Sequence, residues 1–243
     1  MAGLKKGSTG YRVLYDGGRI LQKKNMEYIQ NRTNWCWAVA CRIVGEQYKR
    51  NHTEYSFEPV GVNTEACGGT RQYQGKTIAT DDFEGLRMEI VESRNNVCFV
   101  DIWQHAIVEN ANSIYRGIGG NFPGDDMAKL RGLKYVVTGQ IESGRIRTAS
   151  VGKYDSEYSI LHGYHRQLKE VFEKNRYLIG NAVLSPQMIS HSFVLLDWGE
   201  DDEVTVYDPW DGNVQQYTVW DVFLRGFRSA RGTGIVKWAQ YIM

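Results

Sequence analysis

The sequence predicts an α+β fold, with helices in the first half and an antiparallel sheet in the second. Three observations point there. A helical apolar face follows residue 36, with Ala38, Val39, Ala40, Ile43, Val44 and Tyr48 at helical spacing. Apolar runs with β-branched residues dominate 177–208, separated by a polar, Gly-containing turn at 199–203. The order is helices first and strands later, the pattern of segregated layers rather than of alternating β-α units. A chain of 243 residues with 42% hydrophobic content is enough for one sizeable core, so one domain over 1–243 is expected, helical over about 30–132 and sheet-rich over about 134–243.

Taken in order, residues 1–29 read as an extended lead with a strand at 11–15 and a turn at 16–18. A helix follows to about Arg50, with Thr33 or Asn34 as its cap. Residues 51–80 are polar and Gly-rich and read as a long loop. Helices are expected near 81–93 and 99–111, then a Gly-rich loop at 117–124 and a short helix at 125–132 capped by Asp125. Residues 134–151 alternate like a hairpin turning at Ser143-Gly144. Ser159 caps a helix at 160–174, a buried strand covers 177–184, a short helix 217–226 and a closing strand 234–243.

The chemistry is concentrated in Gln30-Asn31-Arg32-Thr33-Asn34-Trp35-Cys36-Trp37, a loop running into a helix with a cysteine at its start. A helix N-terminus presents unpaired N–H groups and partial positive charge, which favour a thiolate. The thiolate is the nucleophile of cysteine chemistry. A base and its orienter are offered by His191, which opens one apolar run, and Asp208, which closes the next. An antiparallel hairpin brings those two positions together. Asp197 competes as orienter, but it sits six residues along the same strand, roughly 20 Å from His191 if extended. Gln30 precedes Cys36 by six positions, within reach of joining the Cys36 N–H in an oxyanion hole.

At these residues the chain resembles the papain-like cysteine peptidases, which run an oxyanion Gln, six positions, Cys-Trp, a distant His, and an Asn or Asp with a Trp two beyond it. The matching positions are Gln30, Cys36-Trp37, His191, Asp208 and Trp210. Trp-Cys-Trp-Ala and the closing Asp-Pro are most similar to the compact bacterial branch, which includes bacteriocin-leader-processing peptidases and effector proteases. The resemblance covers 30–48 and 176–212, roughly a quarter of the chain. It implies a papain-like fold, peptide-bond hydrolysis of a peptide or protein substrate through a Cys36-His191-Asp208 triad, and no cofactor. It also implies that Trp37 binds or shields substrate and that Trp210 shields the His191–Asp208 hydrogen bond from water. Two other readings of the same triad stay open: an acyl transferase, ligase or cyclase, and a binding module without activity.

The remaining features bound the partners. With 29 Lys+Arg against 28 Asp+Glu, the net charge of +1 makes no electrostatic case for nucleic acid. No run approaches the ~18 apolar residues of a membrane span. The N-terminus has charge but no apolar core of a secretory signal, so a cytoplasmic location, or a delivery route without a signal peptide, is expected. Cysteines at 36, 41, 67 and 98 show no zinc-ligand spacing, which leaves at most a Cys67–Cys98 bridge. His162 and His165 at helical spacing lack a third ligand, so no metal is expected.

Overall fold

The structure, a computed structural model, describes residues 28–59, 64–65, 71–73, 76–78, 99–112, 123–152, 165–175, 177–199 and 201–243. The extended lead, the helix expected at 81–93, Cys67, Cys98 and His162 lie outside the described residues. Elements run in the order α1 (Cys36–Asn51), β1 (Thr64–Glu65), β2 (Arg71–Tyr73), β3 (Lys76–Ile78), β4 (Phe99–Val100), α2 (Ile102–Ala111), α3 (Asp126–Thr138), β5 (Thr148–Val151) and α4 (His165–Asn175). Strands β6 (Leu178–Ser185), β7 (Ile189–Trp198), β8 (Glu203–Asp208) and β9 (Asn213–Thr218) follow, then a π-helical turn (Asp221–Arg225), β10 (Phe227–Ser229) and β11 (Gly232–Ile242).

Seven of these strands form one open antiparallel sheet in the order β10-β11-β6-β7-β8-β9, with β5 also paired to β11. Alternation along the strands divides the core in two. Ile179, Val194, Leu196 and Tyr207 join the cluster built by α1, α2 and α3. Leu178, Phe193, Leu195 and Val206 join Leu168 and Phe172 of α4 and Phe223 of the π-helical turn. Helices packed against an antiparallel sheet is the α+β arrangement expected.

Two expected elements are corrected. Residues 135–138 are not a strand: α3 continues from its Asp125 cap, whose side chain accepts from Ala128 N–H at 2.6 Å, to Gly139. Tertiary packing overrides the β preference of Tyr135-Val136-Val137. Val136 lies so close to α1 that a Cβ on Gly45 would meet it at 2.5 Å, and one on Gly132 would meet the Cys41 sulfur at 2.8 Å. Gly139 ends the helix at φ 75°, a left-handed C-terminal stop that suits glycine. The helix expected at 217–226 is present but shorter and different in kind: residues 217–218 end β9, 219–220 are α-helical, and 221–225 form the π-helical turn. β9 is an exposed edge strand, Asn-Val-Gln-Gln-Tyr-Thr, with no apolar alternation to read. Elsewhere, β6 covers the buried strand, β7 and β8 cover the two apolar runs of the hairpin, and 201–203 is an exposed hairpin tip. By contrast, α2 starts only after Asp101, with β4 at 99–100, and the short strands β1, β2 and β3 fall within the expected loop at 51–80.

A buried polar network fastens the loop before α1 to the helices. Asn31 Oδ1 accepts from Asp101 N–H at 2.7 Å, and Gln104 Nε2 donates to Ile29 O at 2.9 Å. Asp101 Oδ1 caps α2 at Gln104 N–H, while Oδ2 accepts from Arg42 Nη1 at 2.8 Å. Arg42 also donates to Glu46 at 2.8 Å and is 5% exposed. Removing one partner of a buried pair leaves a desolvated charge, so Asp101→Ala is expected to destabilise the fold by about 3–5 kcal/mol. Urea midpoints check this. Asp101→Asn, which keeps a capping oxygen, separates loss of the charge from loss of the cap.

Candidate active site

The nucleophile candidate sits where the sequence places it, but by a different local device. Neither Thr33 nor Asn34 caps α1. The residues before it form a turn, with Trp35 N–H donating to Arg32 O at 3.2 Å, and Trp35 occupies the cap position without a side-chain hydrogen bond. Trp35 O receives Ala38 and Val39 N–H groups at 3.0 and 3.2 Å. No acidic residue lies in the first turn. The partial positive charge of the helix start is therefore not neutralised locally, and the Cys36 N–H has no partner within the helix.

The hairpin sets the other half. The β7–β8 ladder pairs Val194 with Tyr207, which puts Asp208 beside Phe193, two residues from His191 and on the same face. His191 Nε2 and Asp208 Oδ1 are 2.7 Å apart, and the same oxygen accepts from Trp210 N–H at 2.9 Å. The imidazole is fully buried, packed edge-on to Phe193 with centroids 4.5 Å apart. With Nε2 held by Asp208, Nδ1 is the nitrogen left for proton exchange with Cys36. Asp197 pairs in register with Thr205 at the far end of β7 and takes no part.

Two links bring the halves together. Gln30 N–H donates to Pro209 O at 2.8 Å, joining the loop before Cys36 to the turn after Asp208. Ser192 N–H donates to Cys36 Sγ at 3.4 Å. Ser192 lies beyond the last β7–β8 pair, so its amide is directed at sulfur rather than at a neighbouring strand. The residue was not singled out from the sequence, although its place beside His191 was the available signal.

The electrostatics follow from burial and these contacts. Burial pushes the Cys36 thiol up, but the His191 imidazolium, the Ser192 N–H and Lys129 outweigh it and bring the thiol down to about 7. Burial pushes His191 down, yet Asp208 and the Cys36 thiolate raise it to about 9. For Asp208, burial favours the neutral acid, and the His191 cation reverses that to hold the carboxyl below its usual range. Both shifts favour a thiolate beside an imidazolium. Cys41 has the opposite surroundings: burial drives its thiol well above the ordinary range, and its Sγ packs on Lys129 O at 3.4 Å. It serves the core, as expected.

Gln30 and Trp37 differ from expectation. Gln30 is fully buried and its Nε2 donates to both Arg32 O and Thr33 O at 2.8 Å, so both amide hydrogens hold the loop. An oxyanion role for Gln30 would therefore require it to give up one of these loop bonds. Gln30→Ala is accordingly expected to cost about 1–3 kcal/mol of stability as well as lowering kcat, measured by thermal melts beside steady-state rates. Trp37 is 1% exposed and covered by Gly124, where a Cβ would lie 2.3 Å from its ring. It packs the core and presents no surface to substrate. Trp210 is half-buried beside Asp208, where it can shield the His191–Asp208 bond.

Among the described residues, no group of three His, Cys, Asp or Glu side chains is placed to hold a metal ion, and no helix is long and apolar enough to cross a membrane. Compared with known proteins, the chain matches no family model, no curated protein and no solved structure.

Proposed function

We propose that this protein is a papain-like cysteine peptidase acting through Cys36, His191 and Asp208. The observation that carries the reading is the convergence on one sulfur: a helix start, the Ser192 N–H at 3.4 Å, and an imidazole held by Asp208 at 2.7 Å. A cysteine kept only for packing needs none of these, and Cys41 on the same helix has none. The order Gln30, Cys36, His191, Asp208, together with a nucleophile helix set against an antiparallel sheet, is similar to the papain-like plan.

The steps follow from where the protons sit. The Cys36 thiolate attacks the carbonyl carbon of the scissile peptide, forming a C–S bond and placing negative charge on the oxygen beside the Cys36 N–H. As the C–N bond breaks, the His191 imidazolium gives its Nδ1 proton to the leaving amine. The products of this half are a thioester on Cys36 and a free amine. Neutral His191 then takes a proton from water, the hydroxide attacks the thioester carbonyl, and the acid leaves as the thiolate–imidazolium pair is restored. Asp208 stays ionised throughout and holds the ring in one tautomer.

Incubating the protein with a peptide library in ¹⁸O-water tests this. New N-termini with ¹⁸O in the new C-terminal carboxylates are the expected products. Acyl transfer to an added amine or thiol without ¹⁸O uptake would overturn hydrolysis in favour of a transferase. No product of either kind, with Cys36 unreactive toward alkylating reagents, would overturn the triad itself.

A further inference from the structure

A cleft of about 720 Å³, from which Arg231 reaches the loop before Cys36, is walled on one side by the β6–β7 turn at Ser185–Ile189 and on the other by Trp210 and the β10–β11 turn. The second wall is held close: at Gly232, φ 139°, a Cβ would lie 2.2 Å from Ser185 O. The lining contains two cations, Arg228 and Arg231, and no Asp or Glu. Arg231 is pre-organised. Its guanidinium stacks over the Trp210 ring at 4.1 Å, and Nη1 donates to Thr33 O at 3.3 Å, three residues before Cys36. It therefore bridges the Trp210 side of the site and the loop that carries the nucleophile. Neither arginine forms an ion pair among the described residues, whereas the buried Arg42 has two carboxylates.

We propose that this cleft selects peptides with an acidic side chain next to the scissile bond, its carboxylate bound by Arg231 with Arg228 at the mouth. The inference rests on the reading of Cys36 as nucleophile. A planar guanidinium with donors to spare, fixed on an aromatic face, is suited to bidentate carboxylate recognition. Its half-buried position strengthens that recognition: burial lowers the Arg231 pKa, the Cys36 and Asp208 charges offset this only in part, and a bound carboxylate would add to them. A lysine-bearing substrate would meet two like charges in the same cleft.

Two measurements on the full chain test this. In the first, kcat/KM is compared for peptides that differ only in Glu, Gln or Lys beside the scissile bond. Glu is expected to exceed Gln by about 10- to 100-fold, with the preference shrinking as salt rises. In the second, Cys36 alkylation by anionic iodoacetate and neutral iodoacetamide is followed by mass spectrometry in the wild type, Arg231→Met and Arg231→Lys. The His191 imidazolium also attracts iodoacetate, so the change between variants decides. The iodoacetate-to-iodoacetamide rate ratio is expected to fall about tenfold in Arg231→Met and by a smaller factor in Arg231→Lys, which keeps the charge but loses the planar fork. An unchanged ratio in Arg231→Met, or a wild type that cleaves Gln peptides as well as Glu peptides, overturns the acidic preference and leaves the nucleophile standing. Resistance of Cys36 to both reagents overturns the nucleophile reading and this inference with it. Should Arg231→Met fail to fold, the wild-type peptide comparison decides alone.

Discussion

Cys36→Ala is expected to abolish turnover, a loss on the order of 10⁴-fold or more, while the protein stays folded. On the proposed peptidase reading the Cys36 sulfur is the bond-forming atom, which no neighbouring group can replace. The side chain removed is small, and its described hydrogen bond is the one from Ser192 N–H, so the thermal midpoint should move little. Cys41→Ala gives the mirror-image result. That sulfur is fully buried against α3, so the variant loses about 1–2 kcal/mol and keeps its activity. Measuring melting and kcat for both variants separates the roles. A Cys36 variant with normal activity, or a Cys41 variant that is folded and inactive, would contradict the assignment.

His191→Ala should be nearly as damaging as loss of the nucleophile, for two reasons that act together. In the proposed reaction it removes the proton donor to the leaving amine, and it removes the cation that offsets burial of the thiol. Without the imidazolium, burial dominates and the Cys36 ionisation moves upward, so the thiolate is scarce at neutral pH. Asp208→Ala leaves the base in place but frees the ring and strands the Trp210 N–H, so its loss should be smaller. Asp208→Asn should be the mildest, because an amide oxygen still orients Nε2. It does remove the charge that raises His191, so the alkaline limb of the pH–rate profile should move below about 9. Profiles of kcat/KM for the three variants check both the ranking and the direction of that shift.

Much of this site was legible because its parts are local. Cys36 at the start of an apolar helix, and His191 and Asp208 side by side at the open end of a two-strand hairpin, need only periodicity and a turn to be placed. Asp125 was legible as a cap for the same reason. The misreadings arise where distant packing decides. Tyr135-Val136-Val137 looks like strand until Gly45 lets α3 approach α1. Trp37 looks like a cleft residue until Gly124 closes over it. The group that fixes Ser192 is wholly non-local: its Oγ donates to Asn181 Oδ1 at 2.9 Å, Asn181 Nδ2 donates to Gln240 Oε1 at 2.6 Å, and Gln240 donates to Asp126 at 3.0 Å. These four residues come from β7, β6, β11 and α3, and no spacing in the sequence links them. Arg231 is equally hidden in the sequence, because its stacking on Trp210 joins two separate turns.

If His191 holds Cys36 as a thiolate, the pH dependence of Cys36 alkylation by iodoacetamide reports it. Because thiolate and imidazolium titrate as a coupled pair, the apparent values belong to the pair. Reactivity of Cys36, followed by mass spectrometry of the modified peptide, is predicted to rise with a midpoint near 7, and that midpoint should move upward in His191→Ala. A midpoint at or above the ordinary thiol value in the wild type, unchanged by His191→Ala, would contradict the account.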